Sequence, residues 1–194
     1  MTDTATQQVW RTIDGTAGPL PGTYALDKAH TTVAFVARHL MVSKVRGHFD
    51  EFEGTIAVGG DAASSSVAVT IQTASVDTRD ETRDNHIRSG DFLEVEKFPT
   101  MTFRSTRMQG AGAEGWKVEG DLTIRDVTRP VVLDVEWNGA TRDPYGGVRF
   151  GFSATTEIVR DDFGVSFNMA LETGGFMVSK SIKIEIEGEA TLQA

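Results

Sequence analysis

The chain has 194 residues, 39% of them hydrophobic and 24% charged, a globular composition at the usual size of one domain. Its 28 acidic residues against 19 Lys and Arg give a net charge of -9, which repels a nucleic-acid backbone, and the absence of Cys excludes disulfides, thiolate metal sites and a Cys nucleophile. The opening MTDTATQQVWRTIDG lacks the basic start and apolar run of a secretory signal, and no stretch reaches the roughly 20 consecutive apolar residues of a membrane span. The expectations are a cytoplasmic protein, no stable membrane insertion and no nucleic-acid partner.

Residues 1–21 read as an N-terminal tail, because they are rich in Thr, Ala, Gly and Asp and close on the loop signal Gly18-Pro19-Leu20-Pro21-Gly22. Val9, Trp10 and Ile13 are apolar islands within it, which predicts that the tail docks on the rest of its own chain. Strand signals then follow one another. Residues 22–27, 31–38 and 47–58 carry the first; Val67, Val69 and Ile71 alternate with polar or small residues; 100–106 and 116–125 repeat the pattern. Val131, Leu133, Val135 and Trp137 form one apolar face, and Val148, Phe150, Phe152 and Ala154 another. The last run is the clearest, with Ile182, Ile184 and Ile186 alternating with Lys183, Glu185 and Glu187. That makes about nine strand candidates at the spacing of an antiparallel sandwich or barrel.

Helical signals occur at two places. In 77–89, Asp80 precedes Arg83 by three and Asp84 precedes Arg88 by four, spacings that place opposite charges together on a helix face. The stretch 40–44 fits a single helical turn, a plain turn or a bulge. One-faced strands must bury their apolar side, and the long regular alternation favours up-and-down closure into a barrel, which also removes unpaired edges. A barrel of about eight strands has room for one small ligand. Six of the 11 Phe residues fall on strand candidates: Phe35, Phe49, Phe52, Phe103, Phe150 and Phe152. Rings at these positions satisfy a filled core as readily as a hollow bore.

The segments GTYALDKAHTTVAFVARHLMVSKVRGHFDEFEG, TRDETRDNHIRSGDFLEVEKFPTMTF, GDLTIRDVTRPVVLDV and RDDFGV together resemble the YceI-like family, from about Gly22 to Leu192. In order they contain Asp27 and His30, His39, Gly47 and Phe49, Arg83-Asp84 with His86, Phe98-Pro99, Leu122-Thr123-Ile124 and Asp162-Phe163-Gly164. The resemblance implies an all-β fold, a single closed antiparallel lipocalin-like β-barrel over 22–194 with one or two short helices. It also implies binding, storage or transport of a long apolar ligand, a polyisoprenoid, quinone-type molecule or other long-chain lipid, with no cofactor required.

The apolar bore is then expected to be lined by Phe35, Phe49, Phe52, Phe103, Phe150, Phe152, Val69, Ile71, Leu133 and Ile184. A polar mouth is expected at Arg38, His39, Arg83 and His86, with Lys44, Arg46 and Arg88 as further cations able to meet a pyrophosphate. The histidines His30, His39, His48 and His86 form no compact metal motif. Asp161 and Asp162, read as neighbours on a strand, point to opposite faces and so cannot share a substrate as an acid pair. No GxSxG, Gly-rich phosphate loop or dinucleotide fingerprint is present. Two alternatives remain open: a barrel enzyme of the cyclase or isomerase type, with a His or Tyr24 as acid, and a filled barrel acting through a protein partner. A homodimer is compatible with all three readings.

Overall fold

The structure is a computed structural model that describes residues 8–170, 172 and 175–194. It begins with a short hairpin, β1 (Trp10–Ile13) and β2 (Thr16–Pro19), and continues with β3 (Gly22–Leu26), β4 (Thr32–His39), β5 (Ser43–Phe49), β6 (Phe52–Val58), β7 (Ser66–Gln72) and β8 (Val76–Asp77). A single helix, α1 (Glu81–Arg88), separates these from β9 (Thr100–Gly110), β10 (Trp116–Ile124), β11 (Val127–Arg142), β12 (Val148–Val159) and β13 (Ser181–Leu192). Among the described residues no helix is long and apolar enough to cross a membrane.

The hydrogen-bonded circuit runs β12, β11, β10, β9, β7, β6, β3, β13 and back to β12, which closes an antiparallel eight-stranded barrel. Three wall positions are made of two strands each. On one edge of β13, Ala190 to Leu192 pair with β3, while Lys183 to Glu187 pair with β4. β5 then continues the wall position of β6, and β8 that of β7, with β5 bonded to β4 and to β8. The sequence pattern reads 47–58 as one strand, but the structure interrupts it at Asp50 and Glu51. The neighbouring strand breaks at the same level, where Ser75 receives the Asp50 and Glu51 amides on its carbonyl and hydroxyl oxygens and Glu51 accepts from Gln72 N–H. These bonds tie the two matched breaks together while the wall bends.

The connection 40–44 is not helical. It is a tight hairpin turn in which Val42 N–H bonds His39 O at 3.1 Å, and Leu40 and Met41 hold φ of 51° and 60°. Neither residue type favours that region, so the sequence leaves a helical turn, a plain turn and a bulge open, and the structure takes the plain turn. The segment read as a tail contains a built hairpin, with a two-residue turn of Asp14 (φ 50°) and Gly15 (φ 80°) that suits the twist of its strands.

The helix is shorter than the 77–89 expected from charge spacing. Val76 and Asp77 pair with β5 instead, and Asp80 caps the helix by accepting from Arg83 N–H at 2.9 Å. Inside this corner the buried Asp84 carboxylate accepts the Thr78 N–H at 2.9 Å and the Thr78 hydroxyl at 2.5 Å. Arg83 Nε in turn donates to that hydroxyl at 2.7 Å. Replacing Asp84 with Ala strands both Thr78 donors in the interior, an expected loss of about 1–3 kcal/mol, whereas Asp80→Ala removes only a cap, about 1 kcal/mol. Urea denaturation of the two variants checks the order; an equal or smaller effect at Asp84 would count against this reading of the corner.

Candidate functional site

The barrel interior holds two adjoining cavities. The smaller, about 180 Å³, lies toward the end where β9 meets β10 and is walled almost wholly by hydrocarbon side chains. The larger, about 630 Å³, extends to the end covered by α1. Val33, Ile71, Leu122 and Ile184 line both, one each from β4, β7, β10 and β13, and form a waist between them. Together the compartments fall within the range of roughly 300–1,000 Å³ usual for small-molecule sites.

Of the bore residues expected from strand phase, Phe103, Phe150, Phe152, Val69 and Leu133 line the smaller cavity, and Phe35 and Phe49 the larger. Ile71 and Ile184 line both. Phe52 does not; it is buried in the packed part of the core. The break at Asp50 and Glu51 shifts the strand phase so that Phe49 and Phe52 are both buried, and Phe52, in phase with Ile56 and Val58, packs in the core instead of bordering a cavity.

A wall this rich in Phe leaves open space because of where the rings rest. Phe35 lies over Gly47, its register partner on β5, and Phe152 over Gly188, its partner on β13; Phe103, whose register partner is Leu122, lies diagonally over Gly120. A Cβ at any of these glycines would overlap the ring, with the added atom at Gly188 only 2.6 Å from Phe152 Cζ. The rings therefore lie along the wall instead of reaching across the bore.

Polar groups gather at the α1 end of the larger cavity. Arg38, His39, Arg83 and His86 all line it, so the structure brings the four expected mouth residues together around one opening. Arg38 and His39 are exposed. Arg83 is held by donating Nε and Nη2 to the Thr78 hydroxyl and carbonyl, both at 2.7 Å, and His86 Nε2 lies 2.8 Å from Asp91 Oδ2. The other cations point elsewhere: Arg46 pairs with Glu185, and Arg88 donates to the Ala74 and Val76 carbonyls. Phe92 and Phe167 pack edge-on against the His86 ring at 5.0 and 5.1 Å.

Sequence reasoning missed Arg160 as a lining residue. Residues Arg160 to Phe163 form a 3-10 turn closed by Gly164 at φ 73°, not the strand that 161 and 162 were read on. Arg160 is 5% exposed and borders the larger cavity. Its Nη1 and Nε donate to the Val165 and Ser179 carbonyls, while Nη2 is buried with no partner among the described residues. Burial lowers the pKa of this guanidinium. The signal that could have shown it is the sequence Asp-Asp-Phe-Gly, which suits a turn with a left-handed glycine cap. Tyr24, considered as an acid, donates its hydroxyl to Leu20 O at 2.9 Å, borders neither cavity and has its pKa raised by burial.

Two surface groups, Asp27–His30–Glu189 and His48–Asp50–Asp77, bring ligand-type atoms together outside the bore. In the first, Asp27 and Glu189 already accept from Arg149, and His30 bonds Asp27 at 2.9 Å, a hydrogen bond that leads the lowering of the Asp27 pKa.

A closed antiparallel barrel with a hydrocarbon bore and one polar end defines a small ligand-sized barrel of the kind that holds one molecule inside its wall. The YceI-like domain model matches residues 24–190, and the chain belongs to the YceI-like family. A UPF0312 protein of Staphylococcus aureus is 40% identical over 173 residues, spanning 87% of this chain and 97% of that protein. Among solved structures, a YceI protein of Campylobacter jejuni is similar with a TM-score of 0.68 and 33% identity over 81% of this chain and 90% of its own. Burkholderia cenocepacia BcnA gives 0.70 and 25%, over 84% and 98%. A polyisoprenoid binding domain from Saccharophagus degradans shares the fold, with a TM-score of 0.62 and 14% identity over 88% of this chain and 98% of its own.

The ring-over-glycine arrangement is testable without any ligand. Gly188→Ala should turn Phe152 into the bore, cost about 1–3 kcal/mol through overpacking and shrink the smaller cavity in a crystal structure of the variant. Gly60→Ala, at a surface position where an added Cβ meets nothing within 4 Å, serves as the control and should change neither. A Phe152 ring that stays against the wall in Gly188→Ala would refute the arrangement.

Proposed function

We propose that this barrel binds a long apolar molecule of the polyisoprenoid class lengthwise in its bore, with any polar head at the α1 end, as a storage or transport protein. The observation that carries the reading is the division of the interior: two adjoining compartments walled mainly by hydrocarbon, with Glu136 the one charged residue bordering the smaller and the cationic and imidazole groups gathered at the α1 end of the larger. The fold shared with the polyisoprenoid binding domain of Saccharophagus degradans points the same way, as an analogy of fold. Each buried methylene contributes roughly 0.8 kcal/mol, and ordering the chain offsets several kcal/mol of the sum. Affinity in the micromolar to nanomolar range follows. The reading needs no bond-making step.

Organic extraction and native mass spectrometry of protein produced in bacteria should find a long apolar molecule near one per chain in the wild type. Leu133→Glu, which puts a carboxylate into the smaller compartment, should retain none while still folding by circular dichroism. Wild-type protein empty from several hosts, and unable to take up added prenyl alcohol, would defeat the proposal.

The head-group assignment makes a separate prediction. Arg38 has no ion-pair partner among the described residues and stands at the opening. Arg38→Ala should weaken a prenyl pyrophosphate by about 1–3 kcal/mol, the range for one charge-assisted hydrogen bond, and leave the matching prenyl alcohol unchanged. Paired calorimetric titrations measure this. Equal losses for both molecules would remove Arg38 from the head-group site.

A further inference from the structure

The hairpin of β1 and β2 precedes the matched residues 24–190, yet it belongs to the bore. Ile13 is 5% exposed and, with Pro19 and Trp116, closes the smaller cavity at the end opposite α1. The hairpin is fastened to the barrel rim at several points. Trp116 Nε1 donates to Ala17 O at 2.9 Å, and Gly112 N–H donates to the Thr16 hydroxyl at 2.9 Å. Across the rim, Arg11 donates to the Gly59 and Gly60 carbonyls, and Ala62 N–H reaches Asp14 Oδ2 at 3.3 Å. The turns between β6 and β7 and between β9 and β10 thus both grip it. A two-stranded hairpin is marginal alone in water, so its order comes from this docking.

We infer that this hairpin is a stopper that sets how long a chain the bore accepts, with Ile13 as the residue against which the far end of the chain comes to rest. The inference rests on the apolar-ligand reading and adds to it a direction and a limit. The larger cavity reaches solvent beside the exposed Arg38 and His39, so a chain enters there tail first, passes the waist and stops at Ile13. An apolar wall discriminates weakly along its length, since each added group gains a similar small increment. A closed end imposes a sharp penalty on the first unit that does not fit.

The test uses the full chain and a series of all-trans prenyl alcohols from farnesol upward, each longer by one isoprene unit, titrated by calorimetry. Trp116 and Trp137 line the smaller cavity, and their fluorescence reports whether a chain reaches it. For the wild type, affinity should rise with length and then fall by at least about tenfold at one cutoff, the loss expected for a unit beyond a pocket's limit. Ile13→Phe should move the cutoff to a shorter alcohol and Ile13→Ala to a longer one. A cutoff that stays in place in both variants, or a wild type with no cutoff, overturns the inference while leaving the ligand reading intact. A wild type that binds no prenyl alcohol overturns both. If Ile13→Phe fails to fold by circular dichroism, the Ile13→Ala result decides alone, and an unmoved cutoff there is the overturning outcome.

Discussion

The final strand holds this structure together. β13 pairs with β12 from Arg149–Thr191 to Val159–Ser181, and its other edge carries both β3 and β4. Among the described residues no other strand bonds two separate segments on one edge while closing the circuit on the other. A sheet of this length left open would expose two edges and an apolar face, so closure satisfies the backbone and buries the face in one step. The contacts that close it join residues at opposite ends of the chain, such as Tyr24 with Leu192, which places the fold among slow, non-local topologies.

How much of this was legible in the sequence depended on whether a strand was continuous. β9 to β13 are long and alternate cleanly, and their apolar phase gave Phe103, Leu133, Phe150, Phe152 and Ile184 correct places on the inner wall. The broken wall positions were not legible, because nothing in Asp50-Glu51 or Thr73 to Ser75 marks a matched interruption; the bond that makes each break tolerable lies on the other strand. The hairpin of β1 and β2 was overlooked although Asp14-Gly15 is a strong turn signal, since the Gly18 to Gly22 cluster dominated the reading of that region. Turns whose geometry goes against propensity, such as Leu40-Met41, show only as a gap between strand runs, with the kind of turn left open.

The polar end shows the same limit. Arg38, His39, Arg83 and His86 were found because the ends of a barrel are where polar groups can face the interior, the first two at the end of β4 and the others on α1. Arg160 was not, because its importance comes from burial. A guanidinium almost wholly removed from water, with two of its nitrogens bonded to carbonyls and the third without an acceptor among the described residues, is a property of packing around the turn and not of the sequence RDD itself. Near it stand Phe92 and the His86 and Phe167 rings, so the charge lies in an aromatic setting of low polarity.

The waist adds a constraint that the ends alone do not. Val33, Ile71 and Ile184 are β-branched, and a branched side chain on a strand has few rotamers, so three of the four groups that set the aperture are stiff. Leu122 is the fourth and is itself buried. Three of the four groups therefore resist local widening, and strands in a closed circuit move only together. Straight, flexible chains pass such an aperture by threading, whereas a bulky fused-ring molecule of the same volume meets a wall that cannot yield locally. On the reading proposed above, two compartments joined at these side chains suit a slender ligand by shape, independently of any affinity for its head.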